Sequence, residues 1–299
     1  MKRVAEEETG NSRRRMGFTE AAVITGGLGA ACFGGVSKAL RSPGTGLAAA
    51  TPHAVLGGGL VGDGTLAMLR VITGTFQIWL TVDKIALASM GDVCNKGGGC
   101  IEMRGWNMFS TFTVWNWSLM GCYFFITGTL ALLPAKTQQK LPRSVLFSLW
   151  VSFQVLFSTA LLVSIVVWGV ILPAIQRMEA SGDFSEKAVA TAKEQFWGTF
   201  GICAHTLNVV FMVLDGLLNR MQLVRSHVPF AVLFGCIYVV FCWEFYRRNN
   251  FWHYDFLDYR SDNAAIPYTL LPLVLLLSFL GAHKFLTVLK PDDEKAKSS

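Results

Sequence analysis

The chain has 299 residues, 52% hydrophobic and 15% charged, with a mean hydropathy of +0.43. Soluble domains carry about 25% charged residues, so composition argues against a water-soluble globule and for an integral membrane protein. The net charge of +6 comes without a basic stripe interleaved with aromatics, so no nucleic-acid partner is expected.

In chain order, residues 1–63 read as a poorly ordered Gly/Ala-rich N-terminal tail. Lys2-Arg3 and Arg13-Arg14-Arg15 precede a weakly apolar stretch, Ala21 to Val36. A targeting segment or a seventh span remain open for it, although Glu6-Glu7-Glu8 counts against an acid-poor transit peptide. Six apolar runs follow, near 64–84, 108–134, 145–173, 197–218, 228–246 and 266–289. Each approaches or exceeds the roughly 20 residues that cross a hydrocarbon core. The first is the least greasy and carries Arg70. Ser185, then Glu186-Lys187 and an Ala-rich run, predicts a short interfacial helix leading into the fourth span. The expected fold is an all-α, polytopic transmembrane helical bundle of six spans over 64–289, with a charged C-terminal tail at 290–299.

Lys and Arg set the orientation. With both termini on one face, that face carries 16 of them against 9 on the other, Arg70 aside. Cytosolic termini are therefore predicted. The multi-pass protein would reside in the endoplasmic reticulum or plasma membrane, with a plastid membrane kept open by the N-terminal tail. Trp106, Trp115, Trp117, Trp197 and Trp252 gather near the predicted outer boundary, as an aromatic belt does. Cys94 and Cys100 flank a glycine-rich loop on the non-cytosolic face, where a disulfide between them can persist. That loop offers too few ligands for a metal, and no cofactor is expected. Cys122, Cys203, Cys236 and Cys242 read as packing residues.

Chemistry points to His205, an ionisable group inside an apolar span. Such groups usually face a cavity and mark a site. Thr113, in the polar run Ser110-Thr111-Phe112-Thr113, lies at a depth differing by about 5 Å, counting 1.5 Å per residue from the outer face. A threonine hydroxyl needs an adjacent base to become a nucleophile, and neutral imidazole is the usual one. Asn116 and Asn208, each one turn deeper, are candidates for holding a substrate carbonyl or oxyanion. Glu244 is a candidate to orient His205, with Arg247 or Arg248 as its competing partners. Arg70 and Asp215 fall at similar depth and read as a structural ion pair. No Gly-x-Ser-x-Gly, Walker loop or His-Glu-x-x-His is present.

These residues resemble the androgen-induced protein family, also called FAR-17a-like. The likeness rests on His205-Thr206 with Asp215 ten residues on, where the family has a Glu. It rests also on Trp243 followed by Trp252-His253-Tyr254-Asp255-Phe256-Leu257-Asp258, and on the aromatic-rich stretch Trp106 to Phe124. It covers roughly 64–289 in span layout. Asp255 departs from the family's proline. The resemblance implies an intramembrane threonine hydrolase cleaving fatty acid esters of hydroxy fatty acids or similar lipid esters. Its nucleophile would match Thr113, or Thr111 by the local Thr-Phe dipeptide, and its histidine His205. The stretch Tyr254 to Tyr259 equally resembles rolling-stone-like membrane proteins, which imply a structural or interaction role without catalysis. The expected partners are the bilayer and a lipid substrate; the oligomeric state stays open.

Overall fold

Hydrocarbon offers no hydrogen-bond partner to a backbone, so each apolar run must satisfy its amides internally, as a helix. The computed structural model describes residues 17–86, 89–94, 100–182, 186–261 and 263–290. Among these, six helical segments are long and apolar enough to cross a membrane: Phe18–Leu40, Asp63–Ala86, Arg143–Ser181, Thr199–Leu218, Arg225–Asn249 and Ala265–Leu289. In order, the elements are α1 (Phe18–Leu40), the short α2 (Pro52–Leu56), α3 (Asp63–Ala86), an antiparallel ribbon of β1 (Ser89–Cys94) and β2 (Cys100–Arg104), and α4 (Phe112–Ala131). The one-turn α5 (Ala135–Gln138) precedes α6 (Arg143–Val166). A π turn, Val167–Ile171, carries α6 on into α7 (Leu172–Ser181). The interfacial α8 (Glu186–Trp197) leads into α9 (Thr199–Ile202), a second π turn (Cys203–Leu207) and α10 (Asn208–Leu218); α11 (Val228–Asn249) and α12 (Ala265–Leu289) finish the bundle. The fold is thus an all-α membrane bundle with one ribbon at what we term its hairpin end.

The set of spans differs from the sequence expectation at two places. Residues 18–40, expected within a tail, form α1. Its Phe18 ring lies 5.3 Å from Trp243, near the end of α11, and its Gly35 abuts Pro229 at the start of α11, so it runs antiparallel to α11. Conversely α4, which Asn116, Trp115, Trp117 and Tyr123 interrupt, is not among the six. Its 20 residues still extend about 30 Å, and it lies antiparallel along α3. Close approach there depends on glycine, as in many membrane helix pairs. A Cβ on Gly74 would sit 2.4 Å from the Phe125 amide nitrogen, and one on Gly128 2.7 Å from that of Val71.

α1 begins at the hairpin end, beside the end of α11, and α12 ends at the other, where Lys290 bonds the Gly216 carbonyl at the end of α10. The tail expectations for residues 1–16 and 291–299 lie outside the described residues.

Two other expectations are met in the packing, and a third only in part. Arg70 and Asp215 form a buried ion pair at 2.6 Å, with 1% and 2% of their side chains exposed. Cys100 is disulfide-bonded, and Cys94 stands directly opposite it in the ribbon. Of the five belt tryptophans, Trp106 and Trp197 are exposed, whereas Trp117 and Trp252 pack inside the protein.

Candidate functional site at the hairpin end

Gly105, at φ +57, turns the chain out of β2 into the 3-10 turn Gly105–Ser110. Thr111 then caps α4. Its hydroxyl donates to the Met108 carbonyl at 3.2 Å and accepts the Val114 N–H at 3.2 Å. The other hydroxyl of the first turn, that of Thr113, lies beside the Tyr254 phenol. Thr113 is buried and opens onto a cavity of about 80 Å³ at the hairpin end.

His205 lines the same cavity. Gly198 breaks the chain between α8 and α9, and the π turn Cys203–Leu207 holds the histidine. The His205 carbonyl accepts from Ser164 Oγ at 2.6 Å and Trp168 Nε1 at 3.3 Å, which ties this turn to α6 and its own π turn. The imidazole packs on Phe196, ring centres 5.2 Å apart. Its Nδ1 is buried and has no hydrogen-bond partner. No hydrogen bond joins His205 to Thr113.

The residues lining this cavity that the sequence reading did not assign include Lys84, Gln195, His253 and Tyr254. His253 and Tyr254 come from the loop after α11. His253 Nδ1 lies 3.4 Å from Ser110 Oγ. Burial lowers the His253 pKa from 6.5 to about 4, so the ring is neutral at physiological pH. Burial also pushes the Tyr254 phenol above its ordinary range, while the Phe112 N–H and the Thr113 and Tyr238 hydroxyls beside it act the other way. The phenol therefore keeps its proton and can donate it in a hydrogen bond. Lys84 lies 5.7 Å from the centre of the Phe200 ring. The loop residues carried a signal: they fall inside the Trp252–Asp258 segment on which the family resemblance rests.

A second cavity, of about 100 Å³ and almost wholly apolar, lies between α1, α6, α11 and α12. Thr113, Tyr254, Val167 and Ile171 belong to both linings. Thr113 thus stands where the two cavities meet.

The remaining candidates lie elsewhere. Asn116 accepts from Thr159 Oγ1 at 2.5 Å, which fastens α4 to α6. Asn208 takes Ser164 Oγ at 3.4 Å and the Val209 N–H at 2.7 Å. Neither asparagine lines the chamber, so the oxyanion role expected of them has no geometric basis. Glu244 bonds Arg247 and Arg248 on the exposed face of α11 and does not line the chamber either. Its competing interfacial pairing is the one formed.

Neither a protein-family model nor a curated protein nor a solved structure matches this chain.

Proposed function

We propose that the protein is an intramembrane lipid-ester hydrolase with Thr113 as nucleophile and His205 as base. The observation that carries this is the position of Thr113, which lines one cavity together with His205 and also lines a second, almost wholly apolar one suited to an acyl chain. In the reaction Thr113 Oγ attacks the ester carbonyl carbon and its proton passes to His205. The Tyr254 hydroxyl, beside Thr113, donates to the carbonyl oxygen as it gains charge. The carbon–oxygen bond to the alcohol breaks, and the alcohol takes the proton from His205. Water then attacks the acyl-threonine, giving its proton to His205, and Thr113 recovers that proton as the fatty acid leaves. Free-state catalytic pairs are often too far apart to bond and tighten on substrate, so the missing Thr113–His205 bond is compatible with this sequence.

The test is fluorophosphonate labelling in native membranes, comparing wild type, Thr113→Ala, Thr111→Ala and His205→Ala at matched expression. Labelling lost in Thr113→Ala and His205→Ala but kept in Thr111→Ala supports the reading. A folded wild type that takes no label sinks it. One observation favours a second reading, lipid binding without turnover: among the described residues no carboxylate lines the chamber to orient His205.

A further inference from the structure

The two chambers differ in a way that constrains their occupant. The larger, of about 100 Å³, is walled almost wholly by apolar side chains and suits a hydrocarbon chain. The smaller, of about 80 Å³, has a mostly apolar wall too, but it gathers several polar groups and has room for roughly five to eight waters. Its polar lining is rich in groups that donate or can carry positive charge. Lys84, His205, His253, Tyr254, Thr113 and Gln195 face it, and among the described residues no carboxylate does. Asp83 and Glu194 act on Lys84 from outside the chamber, and neither forms a salt bridge with it. The buried His205 Nδ1 is without a partner. His253 turns Nδ1 toward Ser110.

A half-buried ammonium, two imidazoles and a phenol with no acid among them form a site for an anion. We infer that the ligand is a single-chain amphiphile with a compact anionic head, a phosphate or a carboxylate. Its chain lies in the apolar chamber and its anion against Lys84, His205 and His253. This rests on the hydrolase reading for its chemistry: the scissile ester joins chain to head at Thr113, and water splits it into a fatty acid and a short anionic alcohol.

The experiment uses the full chain in phosphatidylcholine nanodiscs and three non-hydrolysable probes: dodecyl phosphate, laurate and the neutral dodecyl glycerol ether. Affinity is read from the concentration dependence of the thermal shift. Removing one charge-assisted hydrogen bond is worth about tenfold in affinity. The expected result is that one anionic probe binds at least about tenfold tighter than the ether, and that Lys84→Gln loses about tenfold for it while Lys84→Arg keeps it. Comparing phosphate with laurate identifies the anion. Equal binding of all three probes, or selectivity untouched by Lys84→Gln, overturns the inference whatever the labelling shows. Anion selectivity in a protein that takes no fluorophosphonate supports the ligand assignment and refutes only the hydrolysis.

Discussion

Removing the Asp215 carboxylate should cost more stability than almost any other single change. Asp215 accepts Arg70 Nε at 2.6 Å and Nη2 at 3.2 Å, the Tyr123 hydroxyl at 2.8 Å and Asn219 Nδ2 at 3.0 Å. Asp215→Ala leaves a guanidinium that is 1% exposed with no counter-charge, and a buried phenol with no acceptor. Breaking one side of such a buried pair costs about 3–5 kcal/mol. At roughly 2 °C per kcal/mol for a chain of this size, the melting temperature should fall by about 6–10 °C. The assay is a thermal melt in nanodiscs, followed by circular dichroism at several scan rates. The double variant Arg70→Met/Asp215→Leu removes both charges and should recover most of the loss, because a pair replaced by apolar residues is often neutral or better. If Asp215→Ala melts within about 2 °C of wild type, or if the double variant falls as far as the single one, the pair is not the anchor argued here.

Gly74→Ala places a methyl 2.4 Å from the Phe125 amide nitrogen, so α3 and α4 must separate. Yield of monodisperse protein should drop sharply, whereas Gly26→Ala, with nothing within 4 Å of its Cβ, should not change it; equal yields would refute the close-packing account. Thr111→Ala removes a helix cap and should cost about 1 kcal/mol while keeping fluorophosphonate labelling, and lost labelling in a folded variant would reinstate Thr111 as nucleophile. His253 is neutral in the fold with a pKa near 4 against 6.5 when exposed, so the unfolded chain takes up the proton first. Stability from this group is complete above about pH 6.5 and declines as pH falls toward 4. Melts across that window should show the decline, and His253→Gln should flatten it. An unchanged slope in the variant would assign the decline to other groups.

Most of the helices were legible because long apolar runs leave a backbone no alternative in lipid. Depth was legible too. Residue counts from one face put Thr113 near His205, and put Arg70 near Asp215. Direction around the helix axis was not. Asn116 and Asn208 sit one turn below the site residues and yet turn toward α6, where Thr159 and Ser164 bond them. A π turn adds one residue to the ladder, which shifts everything beyond it by about 100°, and no residue pattern in 203–207 announces that. His253 was missed for another reason. It lies in a loop, where period and depth say nothing, and the fold alone brings it under β2 and the α4 cap.

The misread α1 has a consequence of its own. Its 23 residues include five glycines, each of which weakens a helix in water by about 1 kcal/mol relative to alanine. Only 17% of its apolar window is buried inside the protein, so tertiary contacts do little to compensate. What keeps it helical is the surrounding lipid, where an unfolded amide has nowhere to turn. This helix is conditional on its solvent. On transfer from bilayer to a thin detergent shell, its amides should be the first in the bundle to exchange with deuterium, and Thr25 and Leu28, which wall the apolar chamber, should lose their places with it.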